Sequence, residues 1–250
     1  YYALKSNTTA TRGTAVGADA LQANTTGAEN TAVGKSALAT NTSGGHHTAV
    51  GYQALGSTNT GANDTAVGYK ALFANTTGHY NVAVGDSALM TNTTAHYNTA
   101  VGFEALKSNL TGTQNVAVGQ IALTSNNTGG NNTALGQAAL NSNTTASDNT
   151  AVGKGSLQTT TTGGSNTAVG IYSLRQNLTG TSNVAVGQSA LLNNTTASKN
   201  VAVGYNTMYD STTADRNAVV GYFSGQNITT GSQNALIGQM SGQWITTGNN

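Results

Sequence analysis

The chain has 250 residues, of which 7% are charged, with no Pro, no Cys and a formal net charge of +1. So few and such scattered charges exclude the basic stripe of a nucleic-acid binder and the polybasic face of a membrane-surface protein. No apolar run approaches the ~18–20 residues that cross a bilayer, and the lack of Cys excludes a disulfide framework and thiolate metal sites.

Gly, Asn, Thr and Ala dominate, and the 37% of hydrophobic residues are mostly small. A disordered tract can share this composition, but it does not keep Ala-Val-Gly and Ala-Leu in register along its length. Gly17, Gly34, Gly51, Gly68, Gly85, Gly102, Gly119, Gly136, Gly153, Gly170, Gly187, Gly204, Gly221 and Gly238 are fourteen glycines at a spacing of seventeen residues. A repeat this strict predicts a solenoid, with a thin core of small side chains.

Counted from the residue after each glycine, positions 1–17 read x-x-Ala-Leu-x-x-Asn-Thr-Thr-Gly/Ala-x-x-Asn-Thr/Val-Ala-Val-Gly. Seventeen residues are too few for a helical repeat; they suit one coil of two short strands and two turns. The β-branched run Thr/Val-Ala-Val predicts the first strand. The x-x-Ala-Leu-x segment predicts the second, and Asn-Thr-Thr-Gly the wide turn between them. The expected fold is all-β, a parallel β-solenoid with two short strands per coil.

Strand side chains alternate between faces, so Val116 and Val118 share one side and Ala117 takes the other. Ala holds that central position in twelve of fourteen units, with Val219 and Leu236 the exceptions. The Val pair is expected inside, beside the Leu column from Leu4 to Leu191, and the Ala column outside. A long apolar stripe marks an interface, which predicts an oligomer wound about a shared axis, three chains being the natural closed arrangement. The alternative is a monomer that tolerates its Ala row at the surface. Asn precedes the first strand in eleven of fourteen units, Gly13, His47 and Asp64 replacing it, and predicts an amide ladder along the axis.

At Val-Ala-Val-Gly-x-x-Ala the chain resembles the head repeat of YadA-like trimeric adhesins, whose consensus is Ser-Val-Ala-Ile-Gly-x-x-Ala. The resemblance covers the strand and glycine of every unit and departs at Leu123 and the Asn-Thr-Thr-Gly turn, which lengthen the family's shorter repeat. The longer pattern is also similar to repeats of bacteriophage tail fibres and bacterial surface proteins. This resemblance implies a left-handed β-roll, a homotrimer and an extracellular place on a virion fibre or cell surface. Residues 1–208 are regular repeats. Residues 209–250 are variant ones, in which Ser224-Gly225 and Ser241-Gly242 replace Ala-Leu, and Ile228 and Ile245 replace the turn Asn. Residue 1 falls in mid-repeat and the chain stops mid-unit at Asn249-Asn250, so a segment of a longer protein is expected, with coils about 4.8 Å apart.

His79-Tyr80 and His96-Tyr97 occupy the same two positions in adjacent coils, so their rings are expected to stack and are candidate ligand contacts, for instance for a cell-surface glycan. Two His without a third ligand do not make a metal site, and His46-His47 adds little. Tyr1, Tyr52, Tyr69, Tyr205 and Tyr222 share position 1 with Gln120, Lys154 and Asp86, as a variable exposed corner does. Asn7, Asn24, Asn41, Asn75, Asn92, Asn109, Asn126, Asn143, Asn177 and Asn194 head Asn-x-Thr/Ser sequons. They are candidate N-glycosylation sites or, in a phage or bacterial fibre, turn residues only. The acids form no column of carboxylate pairs, and Arg12 with Glu29 predicts a rim salt bridge.

A column of identical residues is the reverse of an active site, which needs unique groups converging. The expectation is therefore no catalysis, no cofactor, no metal, no nucleic acid and no membrane insertion. The expected function is a structural or adhesive fibre segment. A carbohydrate-binding adhesin head using the turn Tyr and His residues is the first alternative. An ice-binding solenoid is the second, disfavoured because Thr8 and Thr9 are neighbours that diverge at a turn.

Overall fold

The structure is a computed structural model that describes residues 1–249. It contains two compact units, Tyr1–Thr128 and Gly129–Asn250. In the first unit the strands are β1 (Thr14–Val16), β2 (Thr31–Val33), β3 (Thr48–Val50), β4 (Thr65–Val67), β5 (Val82–Val84), β6 (Thr99–Val101) and β7 (Val116–Val118). The second unit holds β8 (Thr133–Leu135), β9 (Thr150–Val152), β10 (Thr167–Val169), β11 (Val184–Val186), β12 (Val201–Val203), β13 (Ala218–Val220) and β14 (Ala235–Ile237). Within each unit consecutive strands pair in parallel and in register, so that Thr48 lies beside Thr65 and Thr150 beside Thr167. Each unit is an all-β parallel β-solenoid with one coil per seventeen-residue repeat, and no helix occurs among the described residues.

The coil differs from the expected one in two ways. First, it has a single strand; positions 1–5 form a tight turn. Ala20 and Leu21 are both fully buried, as are Ala105 and Leu106. Consecutive residues of a strand point to opposite faces, so this pair can enter the core together only if the chain turns between them. The turn uses left-handed backbone at positions 2 and 4, as at Glu104 (φ 54°) and Leu106 (φ 52°), and again at position 12, as at Gln114 (φ 59°). Such a conformation costs a non-glycine residue about 1–2 kcal/mol. It is held because Leu106 is locked by packing and by its amide, which donates to the Ala122 carbonyl of the next coil at 3.0 Å. The backbone ladder thus continues around the turns.

Second, the Ala column lies inside. Ala32, Ala66, Ala117, Ala151 and Ala185 are 0% exposed, whereas Val67 and Val118, which follow Ala66 and Ala117 in their strands, are 36% and 38% exposed. The bore admits a methyl from the strand and an isobutyl from the Leu column, and the bulkier strand flanks turn outward. The predicted alanine seam is therefore corrected. The stripe that each unit shows to its surroundings is made of the Thr/Val and Val columns at positions 14 and 16.

The glycine closing each strand has a steric reason. Gly85 lies at φ +133°, and a Cβ there would sit 2.5 Å from the Gly102 carbonyl oxygen and 2.7 Å from its carbon. Stacked glycines let successive backbones touch at this corner. In the variant repeats the strand and turn plan persists. The apolar plug moves to Ile228, which is fully buried, and Gly225 takes the left-handed position that Leu holds elsewhere.

Candidate functional site

Two columns of amides line the interior. At position 7 Asn41, Asn92, Asn109 and Asn194 donate Nδ2 to the carbonyl three residues on and to the Oδ1 of the coil before, while Asn75 turns instead to Asp64 Oδ2 and Asn177 to Thr160 Oγ1. Asn109 Nδ2 bonds Gly112 O at 2.9 Å and Asn92 Oδ1 at 3.0 Å. The sequon residues Asn24, Asn41, Asn75, Asn92, Asn109, Asn126, Asn143, Asn177 and Asn194 all lie in this column and are buried. A glycan on any of them would take that amide out of the coil, so in this fold they are structural. Asn7 is exposed, although its side chain makes the same turn bonds to Ala10. The column breaks where Thr58 and Ser211 replace Asn: Asn41 Oδ1, Asn194 Oδ1 and the two hydroxyl oxygens are buried with no hydrogen-bond partner.

At position 13 the division of labour is different. Asn98 Oδ1 accepts the Asn115 amide at 3.0 Å, and Asn98 Nδ2 donates to Gly112 O, one coil on, at 2.9 Å. Each Asn rung thus supplies one acceptor and one donor to the following coil. His47 imitates this pattern: Nδ1 accepts the Asp64 amide at 3.3 Å and Nε2 reaches Gly61 O at 2.7 Å. Asp64 Oδ1 accepts from the Asn81 amide at 2.8 Å and from Asn81 Nδ2 at 3.2 Å, while Oδ2 accepts from Asn75 Nδ2 at 3.1 Å. The two side chains are fully buried, with His47 Nδ1 3.7 Å from Asp64 Oδ2. Burial pushes the imidazole down to about 4, against hydrogen bonds to Gly61 and Asp64 that raise it. Burial pushes the carboxyl up to about 7, against the bonds from Asn81 and Asn75. The sequence marked both positions only as substitutions in a ladder. Two ionisable residues in a column of amides were the signal that they are buried together.

The aromatic corner assembles as expected. His79 and His96 stack with centroids 5.0 Å apart, Tyr80 and Tyr97 at 5.2 Å, and each His meets its own Tyr at a tilt of 60°. The Tyr rings are exposed and the His rings half-buried. His79 Nδ1 accepts the Ala62 amide and His96 Nδ1 accepts the His79 amide, both at 3.0 Å. In the neutral rings the proton then sits on Nε2, so this edge offers N–H donors rather than metal-binding lone pairs. Burial, then the nearby His79, lowers the His96 pKa. At position 1, Tyr52 stacks on Tyr69 and Tyr205 on Tyr222, each pair at 5.4 Å. Arg12 and Glu29 form the expected rim contact at 2.6 Å, which holds the Glu29 carboxyl below its ordinary range.

In the second unit Thr159, Arg175, Gln176, Leu178 and Thr195 line an open groove of about 390 Å³. Its Arg175 is committed, with Nε on Gln158 at 2.9 Å and the guanidinium 4.6 Å from the Tyr172 ring centre. Among the described residues no three His, Cys, Asp or Glu side chains gather as a metal site, and no helix is long and apolar enough to cross a membrane. No protein-family model matches the chain, and no curated protein matches it either.

Proposed function

We propose that the chain is a segment of a rigid, non-catalytic extracellular fibre, a shaft or head of a phage tail fibre or cell-surface adhesin, built from three copies wound as left-handed β-rolls. The observation that carries this reading is the unbroken coil-to-coil strand register within each unit. Such a scaffold suits spacing and presentation, whereas chemistry needs unlike groups converging. The outward Thr/Val stripe takes over the role first assigned to alanine, as the surface on which sister chains pack. Light scattering on the intact chain tests it. Three times 25.0 kDa is expected, and the Val67→Glu/Val118→Glu double variant is expected to fall to 25.0 kDa. A wild-type monomer overturns the trimer.

The stacked His79–His96 and Tyr80–Tyr97 pairs favour one second reading, an adhesin head that holds a sugar at this corner through Nε2–H donors and phenol groups. Glycan-array binding that disappears in Tyr80→Ala/Tyr97→Ala is its test. Ice binding gains less. The outward strand position carries Thr14, Thr31, Thr48 and Thr65, but Val82, Val116, Val184, Val201, Ala218 and Ala235 interrupt the hydroxyl row.

A further inference from the structure

Each amide rung at position 13 gives the next coil one acceptor and one donor. An amide does both at any pH. An imidazole does both only when uncharged with its proton on Nε2, since Nδ1 must keep its lone pair for the Asp64 amide. A carboxylate accepts but cannot donate, so the carbonyl of Gly78, which stands to Asp64 as Gly61 does to His47 and already accepts from Asn75 Nδ2 at 3.0 Å, gains a second donor, from this rung, only if Asp64 is a carboxylic acid. The three hydrogen bonds that Asp64 accepts, two from Asn81 and one from Asn75, are satisfied by either form.

The geometry points to a one-proton lock in the amide column: His47 is the neutral Nε2–H tautomer, Asp64 carries a proton on Oδ2, and loss of that proton takes away the only donor this rung has for the next coil. The pair is thus not the salt bridge that its 3.7 Å separation suggests. His47 is the only titratable side chain within ion-pair distance of Asp64 among the described residues. Further off, His46 is occupied with Glu29 at 3.2 Å, and His79 spends its Nδ1 on the Ala62 amide. A buried neutral pair costs far less desolvation than a buried ion pair whose remaining bonds go to neutral amides.

The two shifts oppose each other. Asp64 rises from 3.8 to about 7, so its contribution favours the fold in acid and is lost as pH climbs through that window. His47 falls from 6.5 to about 4, so its contribution is lost as pH drops through its own window. Where the windows overlap, the unfolded chain keeps one proton on the imidazole and the folded chain keeps one on the carboxyl. The proton count is equal, and wild-type stability is nearly flat there. The single variants unmask the halves. His47→Asn loses stability with rising pH across the overlap, and Asp64→Asn gains it.

Carbon-13 and nitrogen-15 NMR of the intact wild-type chain tests the lock without any substitution. The expected result is an Asp64 carboxyl resonance that titrates near neutrality while the His47 nitrogens keep the pattern of a neutral ring protonated on Nε2. An Asp64 carboxylate ionised throughout, with His47 doubly protonated in mild acid, overturns the proposal. Urea unfolding of the two variants gives the second readout: opposite pH slopes support the lock, and parallel or flat slopes sink it.

Discussion

Gly225 leaves the space that Ile228 fills: a Cβ on Gly225 would come within 2.8 Å of Ile228 Cδ1 and 3.2 Å of Val219 Cγ1. The variant repeat is therefore a paired exchange, Leu and Asn for Gly and Ile, and each half is expected to depend on the other. Gly225→Leu by itself is expected to cost about 1–3 kcal/mol through overpacking. Adding Ile228→Asn recovers much of that loss, because the new amide can also donate to the unpartnered Ser211 hydroxyl. A double-mutant cycle by urea unfolding measures the coupling, and simple additivity would rule the exchange out.

Thr58→Asn is expected to stabilise the first unit. Asn41 Oδ1 and Thr58 Oγ1 are both buried without partners. The new side chain would donate to Asn41 and to the Gly61 carbonyl, as its neighbours in the column do. Removing such unsatisfied groups is worth about 1–3 kcal/mol, read as a higher urea midpoint at unchanged slope. A lower midpoint would show that the column tolerates its gap better than a bulkier rung.

Gly85→Ala is expected to lose at least about 2 kcal/mol, since a methyl there meets Gly102 backbone and the φ is outside the range of other residues. Thermal unfolding reads the effect. A neutral outcome would mean that the coils can part at this corner.

Leu106 gives an inverted ranking. Truncation to Ala removes a fully buried side chain and is expected to cost about 2–5 kcal/mol. In most settings Gly is worse than Ala. At φ 52° the order reverses, and Leu106→Gly should be at least as stable as Leu106→Ala. The two unfolding midpoints decide it.

Much of the coil was legible because its constraints leave residues with no substitute. The glycines fix the period, and the alanine, leucine and asparagine columns fix what repeats. Which face of Thr-Ala-Val turned inward was not legible from alternation alone, which is symmetric between the two answers. The deciding clue was Ala-Leu: two adjacent apolar residues cannot both be internal in a strand, so that segment had to turn and the bore had to be narrow. Left-handed backbone at Glu104, Leu106 and Gln114 runs against the preference of those side chains, so nothing local announced it. The traces included Gly155 at position 2, Gly225 and Gly242 at position 4, and Asn63, Asn131 and Asp148 at position 12, residue types that tolerate this conformation. The ring stacks followed directly from a shared column, whereas burial of the sequon asparagines required knowing that the turn folds inward.

The bonds of either unit reach from one coil to the next, as from Asn98 to Asn115 and Gly112. A coil therefore recognises only its immediate neighbours, and duplication of seventeen codons inserts a rung that fits above and below without altering any other contact. An insertion of one codon fewer or more sets a side chain against the bare glycine corner and cannot be absorbed. Reach in such a molecule is inherited in whole increments, so recombination between like repeats can lengthen or shorten the solenoid while leaving every surviving coil unchanged.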